Sequence, residues 1–349
     1  MLTAQSCGVA SLTVCSLYVL YVYIYCSHKL LKTRVLNNDR LPSSVYVYMK
    51  YLAKALTRRT GCLYTAKKSD VVFTVLSCRL ETPLLRRFCS AAGYGWDYPD
   101  TEYRDVPLCF PQFLCRRLLL MVLTDQDFRL SPAGLVHVHQ SLKTLQPVDE
   151  LKKGPFTLRV QVLEYRQVDA GVEVDVCLTA TARTGCAVWE SVLTLLSKNK
   201  SHKASRCLPR KESESQPDEA VSENVKQVEV RIPRSAGLRC VWSFCDFSPY
   251  WLLSLPARLF GCRLQASPSL WMLSVCLAEI EKHKGVGVIT APVSVTAQFK
   301  EPLSVPGRVT ITFGETTGNG GESSAQGLSF HMQQDGNNIS HMMGLISKS

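Results

Sequence analysis

The sequence has no Cys-x-x-Cys pair, although it contains 15 cysteines. Cys109 and Cys115, like Cys240 and Cys245, lack that spacing, and no histidine is placed to complete a zinc site with them. The number is odd and the thiols are scattered singly through apolar segments, which argues against a disulfide framework. We therefore expect reduced thiols in a protein core, as in a reducing compartment, with no metal ion and no cofactor.

The N-terminus lacks basic residues. No lysine or arginine precedes Lys29, and the nineteen residues from Gly8 to Cys26 carry no charge. As a helix this run would be about 28 Å long, close to the hydrocarbon thickness of a bilayer. A cleaved signal peptide is the alternative, but a basic start and a small-x-small cleavage site are both missing. The sequence thus predicts an uncleaved, single-pass transmembrane helix within an N-terminal anchor of residues 1–34.

Acidic residues are scarce where the basic ones are concentrated. Between His28 and Lys68 there are ten lysines and arginines and one acid, Asp39, so this segment supplies +9 of the formal net charge of +11. The rest of the chain is nearly neutral, and we expect no nucleic-acid interface. Residues 35–70 are instead typical of a juxtamembrane segment attracted to anionic lipid. The positive-inside rule places the body in the cytosol, at the endoplasmic reticulum or the outer mitochondrial membrane.

Helical propensity extends over Ser43–Thr57, directly after the anchor. Lys50 and Lys54 lie on one face of this helix, and Val47, Tyr51 and Leu52 lie nearer another. The segment is either an interfacial membrane helix or the first surface helix of the body.

Residues 71–197 form the first of two units with similar patterns. The strand-like VVFTVL is followed by a loop rich in Pro and Tyr and by a helix at Phe113–Leu123. Four strand candidates come next, at Leu135–Gln140, Phe156–Arg166, Gly171–Arg183 and Ala187–Ser197. The alternation in VEVDVCLTATA is typical of a half-buried antiparallel strand.

Residues 198–224 almost lack large apolar side chains and are predicted to be a disordered linker. The pattern then repeats in residues 225–349. Strand candidates lie at Val225–Ile232, Pro292–Phe299, Arg308–Phe313, Leu328–Gln333 and Ile339–Ile346. The apolar stripe of the helix Ser269–His283 is wide, which indicates burial on most sides.

His137 and His139 are two residues apart in a predicted strand and would point to one face of it. Two histidines without a third ligand do not make a metal site, so we interpret them as ordinary strand residues.

The segment from Trp242 to Glu279 resembles the active-site region of the MaoC-type (R)-specific hydratases. In that family a loop of the form Gly-Asp-x-Asn-Pro-x-His is followed, ten residues on, by the Gly of a Leu-Phe-Gly segment, and a His-Gly pair opens a helix. Here the loop reads Cys-Asp-Phe-Ser-Pro-Tyr-Trp over residues 245–251, and Gly261 lies at the matching distance. Pro268-Ser269 precedes the helix. The Asp is present, but Trp251 replaces the His.

This resemblance covers most of the chain from about Val71 onward. It implies an α+β double hotdog, in which two curved antiparallel sheets each wrap a central helix. The first unit, residues 71–197, looks like the non-catalytic repeat, and the second, residues 225–349, looks like the MaoC-like repeat. The implied ligand is an acyl-CoA or acyl-carrier thioester, and a homodimer is left open.

The resemblance also implies roles for individual residues. Asp246 takes the position of the catalytic base, and the backbone N–H of Ser269 takes that of the donor to the thioester oxygen. The implied substrate-binding residues are Ser248, Pro249, Trp251, Phe260 and Gly261.

Trp251 leaves the function open among three classes. An indole N–H donates a hydrogen bond but neither accepts one nor titrates, so it cannot replace an imidazole. The first class is a thioester-binding protein whose hydratase or dehydratase site is degraded, with weak or absent activity. The second is an active (R)-specific enoyl-CoA hydratase of fatty-acid metabolism that uses Asp246. The third is an interaction module in which Trp251 plugs the tunnel. The changes at Ser248, Trp251 and Pro268 favour the first class.

Overall fold

The computed structural model describes residues 14, 18, 20–65, 70–94, 106–199, 225–232, 264–265, 269–301, 303–305, 307–316, 327–334 and 339–348. Most of the predicted linker, residues 200–224, lies outside these ranges.

The first half contains six described strands. They are β1 (Val35–Asn37), β2 (Val72–Cys78), β3 (Leu135–Thr144), β4 (Phe156–Val168), β5 (Gly171–Thr181) and β6 (Ala187–Lys198). Their order in the sheet is β1-β2-β4-β5-β6-β3, and only the β1–β2 pair is parallel. Alternation of apolar and polar residues predicts β2 to β6. It does not predict β1, which is three residues long and pairs the basic segment with the sheet.

Four α-helices accompany these strands in the described part of the chain. They are α1 (residues 20–32), α2 (Ser44–Thr57), α3 (Thr82–Ala92) and α4 (Phe110–Thr124). The predicted central helix is α4, which extends beyond Phe113–Leu123 at both ends and packs against β2, β4 and β5. The structure contradicts the predicted loop between β2 and α4, because α3 occupies part of it. A proline in the first turn begins α3, and Gly93 ends it with a φ of 85°.

The second half repeats this arrangement. Its strands are β7 (Lys226–Ile232), β8 (Leu264–Gln265), β9 (Val293–Phe299), β10 (Ser304–Val305), β11 (Gly307–Thr316), β12 (Gly327–Gln334) and β13 (Ile339–Lys348). The short strands β8 and β10 pair with each other, and the others form a sheet in the order β9-β13-β12-β11-β7. The central helix is α5 (Ser269–Lys284), and twelve of its sixteen residues are buried. This burial agrees with the wide apolar stripe in its sequence.

The two halves join through β3 and β9, which we call the seam. These strands pair antiparallel, with His139 opposite Gln298 and Thr144 opposite Val293. Eleven of the described strands therefore form one continuous sheet. The seam brings the inner faces of the two halves together, so a site at this position draws residues from both.

Helix α2 is packed on the body. Val47 and Tyr51 are buried, and the Tyr51 hydroxyl donates to the carbonyl of Pro132 at 3.0 Å. Lys54 donates to the carbonyls of Leu123 and Phe128 at 3.2 and 3.1 Å. Because Leu123 lies in the last turn of α4, Lys54 satisfies a helix carbonyl that has no partner within the helix.

No helix in the described part of the chain combines the length and the hydropathy that a membrane crossing requires. Of the predicted transmembrane run Gly8–Cys26, the described residues are 14, 18 and 20–26, and the rest lie outside the described ranges.

Candidate functional site

The start of α5 lies in the interior of the molecule. Its first residue, Ser269, is 7% exposed. Trp271 holds this end of the helix in place by donating from Nε1 to the carbonyl of Ala91, on α3, at 2.8 Å. Lys282, His283 and Lys284 occupy the last turn and complement the helix dipole there. The first turn thus presents the positive end of a buried helix at the seam.

A β-bulge decides which side chains of β3 reach this place. Opposite β6, His137 pairs with Leu195 and His139 pairs with Thr194, so Val138 is an extra residue in the ladder. Leu195 is on the inner face of the sheet with Leu193, whereas Thr194 is on the outer face. The bulge therefore turns His137 inward and leaves His139 outward. The prediction that both histidines point to one face is wrong for this reason.

His137 crosses the seam to contact the start of α5. Its Nδ1 and the Ser269 Oγ are 2.6 Å apart and share a hydrogen bond. The imidazole also packs on Phe299, the last residue of β9, with ring centroids 4.6 Å apart and planes 35° apart. Its other nitrogen, Nε2, is buried and has no hydrogen-bond partner within the described part of the chain. One ring nitrogen is therefore held by Ser269, and the other is left for an additional partner.

The environment of His137 keeps the imidazole neutral. Burial is the main cause, and it lowers the pKa of His137 from 6.5 to about 3. The backbone of His139 acts in the opposite direction, and the His139 side chain lowers the pKa further. A neutral imidazole has one N–H donor and one acceptor nitrogen. The imidazole at the seam is thus unprotonated at neutral pH.

A second polar cluster lies on the inner face of β3, three residues beyond His137. Gln140 is fully buried, and its Nε2 donates to Oε1 of Gln112 at 2.7 Å and to Oγ of Ser191 at 3.1 Å. Oε1 of Gln140 has no hydrogen-bond partner among the described residues. Gln112 lies in the first turn of α4. Polar groups therefore border the seam at the beginnings of both central helices.

His139 lies on the opposite face of the sheet. There it borders a groove of about 520 Å³ that is also lined by Gln298, His331 and Met343. Within the described ranges, no group of three or more His, Cys, Asp or Glu residues is arranged to hold a metal ion. His139 therefore lines this outer groove, whereas His137 faces the start of α5 on the inner side of the sheet.

The cysteines near the seam are not poised as nucleophiles. Burial raises the pKa of Cys109 to about 12 and raises the pKa of Cys276 as well. Both are therefore protonated thiols at neutral pH.

Among the predicted site residues, Ser269 lies in the described part of the chain. Asp246, Ser248, Pro249, Trp251, Phe260 and Gly261 all lie outside it. The residue that sequence reasoning missed is His137. Its only sequence signal was a histidine in a strand, and strand alternation assigns it to the same face as His139.

Solved structures with a similar fold were found by comparison. The chain is similar to HtdX of Mycobacterium tuberculosis, with 18% sequence identity and a TM-score of 0.55, over 79% of this chain and 99% of that one. It is similar to a MaoC-like dehydratase from Phytophthora capsici, with 15% identity and a TM-score of 0.58, over 81% and 96% of the two chains. The chain has the double hotdog fold of the MaoC-like dehydratases. The fold prediction is thus confirmed for the two packed halves.

A third similar structure is the peroxisomal multifunctional enzyme type 2 of Drosophila melanogaster, with 12% identity and a TM-score of 0.53. That match covers 80% of this chain and 48% of the longer one. No protein-family model matches the sequence, and no curated protein matches it significantly. The double hotdog is therefore established by structure rather than by sequence similarity.

Proposed function

We propose that this MaoC-like double hotdog binds an acyl thioester, from CoA or an acyl carrier, at the seam where α5 begins. The observation that carries the proposal is the buried Ser269, which opens α5 and is joined to His137 across the seam. The first turn of a helix combines N–H groups that have no intrahelical acceptor with a positive dipole end. Such a position suits the thioester oxygen, which becomes more negative when an enolate forms at the neighbouring carbon.

The proposed chemistry of the site is hydration of a 2-enoyl thioester or the reverse dehydration. The similar structures include proteins named as dehydratases, and the loop of this chain retains Asp246. With Trp251 in the position of the family's histidine, we propose that this loop alone supports weak hydration or none. A second candidate function, active (R)-specific hydration, is favoured by the position of His137 beside Ser269, at the start of α5.

We further propose that residues 1–34 hold the body at the cytosolic side of a membrane. The uncharged run Gly8–Cys26 and the basic segment after it support this proposal. Helix α2 adds support because Val45, Met49 and Leu56 recur along its outer face and are 68%, 60% and 87% exposed. A lipid surface is a suitable partner for this stripe, since α2 is the next α-helix after the apolar run and lies among basic residues.

Substitution of Ser269 tests the binding site. Proline is tolerated at the first position of a helix and removes the backbone N–H. We expect Ser269→Pro to weaken binding of crotonyl-CoA and longer enoyl-CoAs to the full chain, measured by calorimetry. The matched control is Ser269→Ala, which removes the hydroxyl and retains the N–H. Equal binding by both variants and the wild type would exclude the start of α5 as the thioester site.

Deletion of Met1–Lys32 tests the membrane anchor. The shortened protein should move to the soluble fraction, whereas the full chain should resist carbonate extraction. Carbonate-resistant association of the shortened protein would contradict the anchor.

A further inference from the structure

The imidazole missing from the loop motif has a counterpart on the other half of the molecule. The bulge at Val138 directs His137 inward, and the hydrogen bond of 2.6 Å to Ser269 fixes it at the start of α5. Packing on Phe299 restrains the plane of the ring. A histidine held by one nitrogen and by contact with a second ring is positioned in the way that acid–base catalysis requires.

Nε2 of His137 is buried without a partner among the described residues, and such an atom would destabilise the fold if the residue had only a structural role. A buried polar atom without a partner costs roughly 1–3 kcal/mol, so such atoms call for an explanation. Within the described ranges, Nε2 of His137 and Oε1 of Gln140 are two such atoms, and both belong to inner-face side chains of β3. A ligand with polar atoms at the seam would satisfy both groups.

We propose that His137 is the acid–base residue of an enoyl-thioester hydratase, supplied by the first half of the double hotdog in place of the loop histidine that Trp251 replaces. This inference rests on the proposed function, thioester binding at the start of α5. It assigns catalysis to the half that sequence resemblance describes as non-catalytic.

In the proposed reaction His137 takes one proton from water and passes it to the substrate, so the enzyme returns to its starting state. Nε2 of His137 removes a proton from water as the water oxygen forms a bond to C3 of the enoyl thioester. The C2=C3 electron pair moves towards the carbonyl, and the resulting enolate oxygen is stabilised by the N–H of Ser269. The protonated Nε2 then gives its proton to C2, and the carbonyl re-forms. One water is added across the double bond, without an oxidant, a reductant or a metal ion.

The hydrogen bond with Ser269 involves Nδ1 and leaves Nε2 as the nitrogen that faces the ligand. In the tautomer in which Nδ1 carries the ring proton and donates to Oγ of Ser269, the lone pair lies on Nε2. This is the tautomer that the proposed reaction uses.

Three full-chain proteins test the assignment: the wild type, His137→Asn and His139→Gln. The asparagine amide nitrogen stands in for Nδ1 and retains the bond to Ser269, but nothing replaces Nε2. His139→Gln is the matched control, because it removes the neighbouring histidine on the outer face. Turnover and binding are measured separately, with crotonyl-CoA and a longer enoyl-CoA.

We expect the wild type to hydrate the enoyl thioester. His137→Asn should lower turnover about 10²-fold to 10⁴-fold, the usual contribution of a positioned acid–base group, while binding changes by no more than a few-fold. His139→Gln should change neither quantity. If circular dichroism shows that the Asn variant is unfolded, His137→Gln replaces it, because the longer amide fills more of the space of the ring and cannot act as a base.

Two results would overturn the inference. In the first, wild type and His137→Asn turn over equally. In the second, the wild type binds enoyl-CoA without turning it over, which would leave the proposed binding function intact. If the wild type binds no acyl thioester at all, the proposed function itself fails.

Discussion

The desolvation of the His137 imidazole predicts that acid destabilises the fold in a way that one substitution removes. In the unfolded chain a histidine has a pKa of about 6.5, whereas burial lowers the folded pKa to about 3. Below about pH 6.5 the unfolded chain therefore gains a proton that the folded protein does not take up until near pH 3. The stability that comes from keeping the ring neutral is fully present above the unfolded pKa and falls as the pH falls.

The size of the effect follows from the same values. Each pH unit between the two pKa values changes the free energy of unfolding by at most about 1.4 kcal/mol. At about pH 5 the loss is about 2 kcal/mol, and this figure is nearly the same for any folded pKa below about 4. Because Nε2 is buried, solvent screening reduces the loss little.

Urea unfolding of the full chain in mild detergent, at about pH 7.5 and about pH 5, measures this loss. The wild type should lose about 2 kcal/mol more than His137→Asn between the two pH values, whatever the absolute stability of the variant. His139→Gln should behave as the wild type does at this site. Equal pH dependence of wild type and His137→Asn would show that the ring is protonated or solvated in the folded protein.

Three more changes have expected outcomes. Lys54→Met should lower the free energy of unfolding by about 1–3 kcal/mol, because the carbonyls of Leu123 and Phe128 lose a hydrogen-bond donor; an unchanged urea midpoint would contradict this. Trp189→Phe should cost about 2–4 kcal/mol, since it removes the 2.8 Å bond to the carbonyl of Leu108 and leaves a cavity; calorimetric melting tests it, and a melting temperature within a degree or so of wild type would contradict it. Trp251→His, combined with Ser248→Asn, should raise enoyl-CoA hydration, measured by the loss of enoyl absorbance; unchanged activity would contradict the role assigned to position 251.

The sequence predicts the sheet well because the physical signal for its strands is local. Alternation in Gly171–Thr181 and the wide stripe of Ser269–Lys284 each report which side chains are buried. Helix α3 also has a local signal, since Leu85, Phe88 and Cys89 are spaced for one helical face and are buried. The prolines and tyrosines of this region led us to predict a loop instead.

The site was harder to predict because it depends on pairing between distant strands. A bulge exists only relative to a partner strand, and the residues of β3 do not reveal that β6 lacks a counterpart for Val138. Lys54 shows the same limit. Its capping of α4 depends on the packing of two helices that are far apart in sequence.

The bulge in β3 has a consequence for how such a site arises in evolution. Inserting or deleting one residue in a strand exchanges the inner and outer faces for every residue up to the next turn, without altering any side chain. A histidine on the outer face of the sheet is thereby moved to the inner face, next to the first turn of a central helix. The length of this strand therefore decides whether a histidine of the first half faces outward or faces the start of the central helix of the second half.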